Sequence, residues 1–517
     1  MKKAHNLGMA SHKEIFLFAS LLLALSSCGA GRGAYSPYEF PTLVEDPLPD
    51  VAAQGYYRPS SFSSVSSLDK GLIDCDLETV YSFGAKRRVI PSLGKQKITV
   101  IPVDFSTYPA QTLGEEAVTN IKKAFFGSGN GNQYCSLAEY YDKASFHRFQ
   151  IEGEVDDKWF RPSASYERLA ALPNPNRTKA ALVDIYAEAL AWHNENYPSA
   201  QLESGDPVFF IYSAPYSGMD DGKSDRNNMM WAFVINDPAP IGWSSYHMFH
   251  PDGDNRVDAH TIIHEFGHML GLVDYYDTDA SSDPSPCSPL GRMDMMDCSL
   301  GDQDAFSKLL LGWNKPYVVN DSCEITLRQS GGNGDCVLLC SDWNGTPFDE
   351  YLLLEFYTPS YLNTFDAKPE RGEGNRLMAK PGIKVYHVDA RLGVYHDRNK
   401  APLHYLSQGN LASYSLDFYQ NNCGEHNASR ILPKRDNYLI RTLAKNGEKQ
   451  NLLPYFVASD RDENVSLGGI TLAYRDVLFG QGEGISSYAF ASKGALPFGF
   501  NVAELTSTYA KVTFAKS

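Results

Sequence analysis

Positive charge is scarce in this sequence. Lysine and arginine together number 46 against 62 aspartates and glutamates, which leaves a formal net charge of -16 at pH 7. Such a protein would repel nucleic-acid phosphates unless a local basic patch intervened. We therefore expect no nucleic-acid partner.

Long hydrophobic runs are also missing, apart from one near the N-terminus. Lysines precede an apolar stretch from Ile15 to Leu25, which is too short to span a bilayer comfortably as a permanent helix. The four residues that end at Cys28 resemble a bacterial lipobox. We expect 1–27 to be a lipoprotein signal peptide, Cys28 to carry the lipid that anchors an exported protein to a membrane, and 28–70 to be a flexible tether. A simple secretory peptide with an incidental cysteine is the alternative.

Cysteine is sparse, with nine in 517 residues. Lipidation of Cys28 would leave eight, an even number that permits disulfides in an exported protein. Cys287 could pair with Cys298, and Cys323 could pair with Cys340 across a predicted hairpin with a glycine-rich turn. Unpaired buried thiols are the alternative, and the sequence does not fix the connectivity.

One stretch carries residues with metal chemistry: His264, Glu265 and His268, in the pattern His-Glu-x-x-His. A helix repeats about every 3.6 residues, so side chains four apart share a face and both imidazoles can point at one metal ion. Glu265 would lie beside the metal without ligating it, which suits a general base. Because the short pattern also occurs by chance on ordinary helices, it does not establish a metal site alone.

Residues after the second histidine strengthen the metal-site prediction. Gly271 can adopt the conformation that ends a helix and turns the chain back under the metal. Asp274 then becomes the natural third ligand, and three protein ligands leave a fourth position for water, as in catalytic zinc sites. We predict one zinc ion held by His264, His268 and Asp274, and peptide-bond hydrolysis with Glu265 as the base.

The segment before the metal helix is acidic. Asp252, Asp254 and Asp258 place three carboxylates in a short loop that could hold calcium as a structural ion. The spacing matches a calcium loop incompletely, so a solvated acidic turn is the alternative, and Asp258 also suits a helix N-cap. His260 lies one turn before the first histidine of the motif, and we expect it to support the ligands or face solvent.

Three downstream segments continue the pattern: Tyr-Tyr-Asp at 275–277, Met-Asp-Met-Met at 293–296, and a segment at 305–313 that ends in Leu-Gly-Trp. With His-Glu-x-x-His-x-x-Gly-x-x-Asp before them, they resemble the immune inhibitor A family of secreted bacterial zinc metallopeptidases, relatives of the metzincins. In that family the second segment reads Trp-Asp-(Ile/Leu)-Met, so Met293 stands where a tryptophan is expected. The resemblance implies that Met296 forms the Met-turn, a hydrophobic floor beneath the zinc ligands.

The two halves of the chain differ in pattern. The apolar run at 97–105 predicts a buried strand, and strands then mix with helices up to the metal motif. Later, short apolar runs separated by turn residues predict a β-rich, sandwich-like domain, in which His387 and Asp389 are expected to be structural. With the resemblance, this predicts an α+β fold: a metzincin-like zinc metallopeptidase domain at 71–320 and a β-rich C-terminal domain at 321–517.

Two functions fit these features. The first is a surface-anchored zinc metalloendopeptidase that hydrolyses extracellular proteins or peptides. The alternative is a non-catalytic surface adhesin or binding lipoprotein that engages a partner through the β-rich domain. Glu265 favours the enzyme, because a binding-only domain has no need of a base beside its metal.

Overall fold

The structure is a computed structural model of the chain. It describes residues 54–63, 65–67, 71–73, 76–82, 88–127, 135–172, 175–216, 229–248, 257–276, 289–290, 293–297, 301–367, 380–395, 404–405, 415–418, 420, 422, 438–443, 445, 466–467, 470–471, 477–490 and 492–517. The predicted lipid site at Cys28, the calcium candidates Asp252 and Asp254, and the Cys287–Cys298 pair lie outside these residues.

Helices and strands alternate in the first half of the chain, and strands dominate the second. The helices are α1 (Leu77–Ser82), α2 (Ala117–Phe126), α3 (Leu137–Ala144), α4 (Tyr166–Ala170), α5 (Pro175–Asn196), α6 (Ala259–Met269), α7 (Ala305–Leu310), α8 (Ser330–Asn333) and α9 (Thr364–Ala367), with 3-10 turns at Ala110–Leu113, Met295–Asp297 and Tyr361–Asn363. The strands are β1 (Tyr56–Tyr57), β2 (Val65–Ser67), β3 (Gly71–Ile73), β4 (Gly94–Val103), β5 (Phe149–Val155), β6 (Val208–Tyr212), β7 (Phe233–Ile235), β8 (Ile241–Ser245), β9 (Tyr317–Val319), β10 (Cys323–Arg328), β11 (Cys336–Leu339), β12 (Glu350–Tyr357), β13 (Gly382–Asp389), β14 (Leu392–Tyr395), β15 (His404–Tyr405), β16 (Ser415–Phe418), β17 (Ile440–Thr442), β18 (Ser466–Leu467), β19 (Ile470–Thr471), β20 (Leu478–Phe479), β21 (Gly484–Ile485), β22 (Ala489–Phe490), β23 (Gly494–Ala495), β24 (Phe498–Leu505) and β25 (Tyr509–Lys516).

The first large sheet has the strand order β5-β4-β6-β8-β7. β4 pairs in parallel with β5 and β6, β6 pairs in parallel with β8, and β7 is antiparallel at the edge. Strands buried on both faces read as continuous apolar runs, because alternate side chains enter opposite cores. In β6, Phe209 and Ile211 enter one core, whereas Val208, Phe210 and Tyr212 enter the other.

Helices pack on both faces of this sheet. α5 covers one face with Leu182, Ile185 and Ala189, and α2, α3 and α6 contribute to the core on the other face. α3 begins after Ser136, whose hydroxyl accepts a hydrogen bond from the Glu139 amide (3.2 Å). The helix that carries the metal motif, α6, is therefore held against a sheet.

The second large sheet has the order β1-β9-β11-β12-β13-β17, and β20 also pairs with β13. β12 is buried along its whole length. Its side chains alternate, so that Tyr351 and Leu353 join the core that contains α6, and Leu352 and Leu354 join a separate core on the far side. The seven-stranded sheet therefore lies between the two cores and contributes side chains to both.

A four-stranded antiparallel sheet, β10-β25-β24-β21, closes the far core. Ile325, Val502 and Val512 from this sheet share that core with Leu352 and Leu354 of the seven-stranded sheet. Two sheets that bury their facing side chains form a sandwich. The described fold is thus α+β, with a β-rich second half, as predicted.

The predicted hairpin that joins Cys323 to Cys340 is wrong. β10 pairs with β25, whereas β11 pairs with β9 and β12 in the other sheet. The glycine-rich segment between them forms helix α8 instead of a tight turn that would fold β11 back onto β10. The two cysteines therefore belong to strands or strand ends of different sheets, and both are free thiols.

The region predicted as a tether reaches the folded part of the chain. In β1, Tyr56 pairs with Val319 of β9, and the Ser63 amide donates to the Gly345 carbonyl (2.8 Å). β1 is therefore the edge strand of the seven-stranded sheet, and residues 54–63 belong to the folded part of the chain, not to a flexible tether. Among the helices of the described residues, none combines the length and apolar character needed to cross a membrane.

A buried polar cluster ties β12 and β13 to the segment between β22 and β23. Glu350 Oε1 lies 3.0 Å from His387 Nε2, and Glu350 Oε2 accepts hydrogen bonds from the Ser492 amide (2.9 Å) and hydroxyl. Asp389 accepts two hydrogen bonds of 2.7 Å from Arg391. His387 and Asp389 thus have structural partners.

Acid should destabilise the protein through Glu350. Burial raises the pKa of this carboxyl, but hydrogen bonds from His387 and Ser492 outweigh burial and lower the pKa from 4.5 to about 2. The unfolded chain therefore binds the proton more readily, so the stabilisation is present above the unfolded pKa and is lost as the pH falls toward the folded one. Between roughly pH 5 and pH 2, the unfolding free energy of Glu350→Gln should fall by about 3 kcal/mol less than that of the parent. Urea unfolding at both pH values checks this, and equal losses in the two proteins would contradict it.

Candidate metal centre

Helix α6 presents the two histidines of the motif on its less buried face. The helix begins after Asp258, whose carboxylate accepts hydrogen bonds from the amides of His260 (3.0 Å) and Thr261 (3.4 Å), so the N-cap prediction is confirmed. Most residues of the helix are buried, whereas His264 and His268 are half-buried. Packing of the apolar side thus fixes the direction in which the imidazoles point.

The helix ends in a turn that favours glycine. Gly271 has a φ of +98°, a conformation that side chains with a Cβ rarely adopt. A Cβ at this position would also lie 2.9 Å from a ring carbon of Tyr81. The Gly271 amide donates to the His268 carbonyl (3.1 Å). The chain reverses here and brings Asp274 back against the helix.

Three potential ligand atoms converge beyond this turn. Nitrogen or carboxylate oxygen atoms of His264, His268 and Asp274 all lie within 4.8 Å of one another. Asp274 Oδ1 is 3.1 Å from His264 Nε2 and 3.3 Å from His268 Nε2. The two rings are nearly perpendicular, at 89°, with centroids 5.0 Å apart. Two imidazole nitrogens and one carboxylate oxygen are a donor set that zinc accepts in catalytic sites.

The other nitrogen of each imidazole is anchored to the backbone. His264 Nδ1 donates to the Met295 carbonyl, and His268 Nδ1 donates to the Leu272 carbonyl, each over 2.9 Å. A carbonyl oxygen only accepts, so Nδ1 carries a proton and the Nε2 of the neutral ring presents a lone pair. Carbonyl partners of this kind orient metal-binding histidines. The residues present therefore fit a zinc ion.

Between themselves, the three side chains form a charged cluster. Burial lowers the pKa of each histidine, but Asp274 outweighs burial, raising the pKa of His264 to about 10 and that of His268 as well. In turn, burial raises the pKa of Asp274, but the two imidazoles hold it below its usual range. A cation that binds both Nε2 atoms must displace these protons.

Glu265 lies on the same helix beside this cluster. Its side chain is buried, with 7% of the residue exposed, and it is not part of the convergent group of three. Burial raises the pKa of Glu265, and the nearby imidazoles oppose the rise. A buried carboxyl with a raised pKa, next to potential metal ligands, suits proton transfer.

The 3-10 turn at Met295–Asp297 packs against α6. A Cβ added to Gly267 would lie 2.6 Å from the sulfur of Met296. Gly267 stands between the two histidines in the sequence, so its missing side chain lets Met296 reach the helix backbone at the level of the imidazoles. Met296 therefore contacts α6 beside Gly267, and its role as a Met-turn stays a prediction.

The structure brings together the predicted ligands His264, His268 and Asp274, with the predicted base Glu265 alongside. His260, expected to support the ligands or face solvent, is buried, with 4% exposed. It does not belong to the convergent group.

The predicted calcium loop is represented in the described residues by Asp258. Both oxygens of its carboxylate accept hydrogen bonds from the first turn of α6, and Oδ2 also accepts from the Thr261 hydroxyl (3.0 Å). These contacts give Asp258 a structural role as a helix cap. Asp252 and Asp254 lie outside the described residues.

Sequence reasoning missed the side chains that support the metal helix from other elements. Asn236 Nδ2 donates to the His268 carbonyl (2.9 Å), and the Tyr141 hydroxyl donates to another carbonyl of α6 (2.8 Å). The Tyr276 ring lies 6.3 Å from the His264 ring. The sequence pointed to Tyr276, because it lies two residues after the proposed ligand Asp274. Asn236 and Tyr141 come from distant segments.

No protein-family model matches the sequence, and no curated protein matches it. Among solved structures, the crystal structure of wild-type OgpA from Akkermansia muciniphila is similar over 59% of this chain and 92% of that chain, with 12% sequence identity and a TM-score of 0.25. A superposition with so low a TM-score supports no inference about the fold or function of this chain.

Proposed function

We propose that this chain is a zinc metalloendopeptidase with a metzincin-like catalytic domain. The observation that carries the proposal is the convergence of His264 Nε2, His268 Nε2 and Asp274 Oδ1, with each Nδ1 anchored to a backbone carbonyl. Metal-binding histidines almost always donate their other ring N–H to a backbone carbonyl, a carboxylate or water, as both rings do here. Glu265, buried beside the group, supports a hydrolytic role over a purely structural one.

In this proposal His264, His268 and Asp274 would hold the zinc ion, which when bound would act as a Lewis acid that activates water and polarises the scissile carbonyl. Glu265 takes a proton from the attacking water as the new C–O bond forms. It then returns that proton to the amide nitrogen as the C–N bond breaks, so that the products are a carboxylic acid and an amine.

Burial of Glu265 supports this proton transfer. A general base works best when its pKa lies near the working pH, because it must both accept and release a proton. Burial raises the pKa of Glu265 above its ordinary value. This burial comes from the packing of α6, which places Glu265 among the buried residues of the helix.

The edge strand β7 supports an extended peptide as the substrate. β7 lies at the end of the five-stranded sheet and pairs with β8. Asn236, which directly follows β7, donates to the His268 carbonyl, so the strand ends next to the metal helix. A sheet edge offers backbone N–H and C=O groups to an extended chain. We therefore expect cleavage within unfolded or looped segments of proteins.

The proposed substrates are proteins or peptides outside the cell. A lipid on Cys28, after removal of residues 1–27, would anchor the chain to a membrane surface, with 28–53 joining the anchor to β1. This arrangement would let the catalytic domain reach extracellular targets while staying attached.

Metal removal tests the proposed function. The purified protein should digest casein or gelatin, lose this activity when a chelator removes zinc, and regain it when zinc is restored. Treatment with the same chelator preloaded with zinc is the control, and circular dichroism checks that the fold survives. Digestion that persists without zinc would contradict the proposal. A zinc-loaded protein that digests no substrate would favour the binding-protein alternative.

A further inference from the structure

The carboxylate of Asp294 joins the 3-10 turn beneath α6 to a neighbouring helix. Asp294 is buried, with 1% of the residue exposed. Its Oδ1 accepts a hydrogen bond from the Met296 amide (2.6 Å), and its Oδ2 accepts one from the Asp304 amide (2.7 Å). Its backbone carbonyl also accepts from the Asp297 amide (3.0 Å). One side chain therefore sets the shape of the turn and connects it to the start of α7.

The same turn contacts both segments that carry the proposed zinc ligands. The Met295 carbonyl accepts the Nδ1 proton of His264 (2.9 Å). The Met296 carbonyl accepts a hydrogen bond from the Tyr275 amide (2.9 Å), and Tyr275 directly follows Asp274. Successive carbonyls of one turn thus fix the ring of one ligand and the backbone beside another.

Helix α7 is fixed in the core and can hold the 295–297 turn in place. It begins after Asp304, whose carboxylate caps the helix by accepting a hydrogen bond from the Ser307 amide (2.7 Å). Phe306 and Leu309 are fully buried in the core that contains α6. Motion of the turn relative to α7 would therefore require the hydrogen bond between Asp294 and the Asp304 amide to break.

Keeping the buried Asp294 side chain ionised costs free energy. Burial, followed by the Asp304 carboxylate, raises the pKa of Asp294 well above its ordinary value, and its hydrogen bonds to the Met296 and Asp304 amides oppose the rise. A carboxylate can accept from two amides at once through its two oxygens, but an asparagine offers one acceptor oxygen. Removing the side chain altogether would leave two buried amides without these partners.

We infer that Asp294 is a positioning residue of the metal centre: through the 295–297 turn, its carboxylate aligns His264 and the segment that carries Asp274 for zinc binding. The inference rests on the proposed function, because it assumes that zinc is the ion bound. Asp294 does not touch the ion in this account. It acts through the two carbonyls of the turn. Loss of a partner that bonds a ligand directly weakens metal binding about 10- to 100-fold in zinc proteins, so an effect transmitted through the turn should lie near the lower end of this range.

Asp302 provides a matched control. It is also buried in the segment before α7, accepts a hydrogen bond from the Gln303 amide (2.9 Å) and pairs with Lys308 (2.5 Å). None of these contacts involves the 295–297 turn. Asp302→Asn should thus disturb a buried carboxylate without moving the Met295 or Met296 carbonyl.

The test compares the parent with Asp294→Ala, Asp294→Asn and Asp302→Asn. Zinc affinity is measured by competition with a chelator, and the cobalt-substituted proteins are compared by their visible absorption, which reports ligand geometry independently of activity. We expect zinc to bind about 10-fold more weakly to Asp294→Ala, with an altered cobalt spectrum. Asp294→Asn should fall between Asp294→Ala and the parent, and Asp302→Asn should match the parent in both measurements. Should Asp294→Ala fail to fold, Asp294→Asn decides.

Two results would overturn the inference while leaving the proposed function intact. In the first, the parent binds zinc and the Asp294 variants bind it equally well with the parent's cobalt spectrum. In the second, Asp302→Asn weakens binding as much as Asp294→Asn, which would indicate a general loss of stability. If the parent itself binds no zinc, the proposed function fails, and the role of Asp294 fails with it.

Discussion

Replacing Glu265 with glutamine should slow peptide hydrolysis about 10²- to 10⁴-fold while zinc stays bound. Glutamine has nearly the same shape as glutamate but cannot take a proton from water. Glu265 is outside the convergent group formed by His264, His268 and Asp274, so the proposed ligand set is unchanged by the substitution. Casein digestion and zinc content, measured on the same sample, check both parts of the expectation.

Glu154 supplies the control for this experiment. It is an exposed carboxylate on β5, and Glu154→Gln should digest casein at the parent's rate with the parent's zinc content. If Glu265→Gln digests casein as fast as the parent, Glu265 is not the base. If it loses zinc, Glu265 contributes to metal binding and the ligand assignment needs revision.

Removal of the Asp274 side chain should abolish both zinc binding and hydrolysis. Asp274→Ala takes away the oxygen that lies 3.1 Å from His264 Nε2 and 3.3 Å from His268 Nε2. Loss of a direct ligand should exceed the cost of losing an outer contact, so we expect zinc affinity to fall by more than about 100-fold. Equilibrium dialysis against buffered zinc measures the change, and the activity should fall in parallel.

A second histidine–aspartate pair allows a matched control. On α3, Asp142 Oδ2 lies 2.8 Å from His147 Nδ1, and this pair is separate from the convergent group of three. Asp142→Ala should bind zinc as the parent does. An Asp274→Ala protein with the parent's zinc affinity would show that another group completes the site.

The local part of the metal site could be predicted because it is encoded in consecutive residues. Helical spacing places His264 and His268 on one face, and the glycine turn at Gly271 returns Asp274 to that face within six residues of His268. No long-range contact is needed to bring these groups together, so the spacing of the motif was sufficient.

The supporting contacts could not be predicted in the same way. Met295 reaches His264 across 31 positions, and Asn236 reaches His268 across 32. Each contact uses one backbone carbonyl, that of Met295 in the first and that of His268 in the second, so the residue types carry little information about the pairing. These contacts depend on how the edge strand and the 3-10 turn pack against α6, which short sequence patterns do not specify.

Strand identity was more predictable than strand pairing. The apolar runs identified buried strands, but both faces of β12 are covered, and such a strand does not reveal its neighbours. β10 shows the consequence: it pairs with β25, so Arg328 lies opposite Tyr509 and not opposite any residue of β11. A glycine-rich connection suggested a local hairpin, whereas the apolar faces of the two sheets decided the pairing.

Anomalous X-ray scattering from crystals of the zinc-loaded protein, recorded on both sides of the zinc absorption edge, tests the central claim most directly. The account predicts one zinc peak per chain, bonded to the Nε2 atoms of His264 and His268 and to a carboxylate oxygen of Asp274. A peak coordinated by other residues, or the absence of any peak from protein that hydrolyses casein, would contradict it.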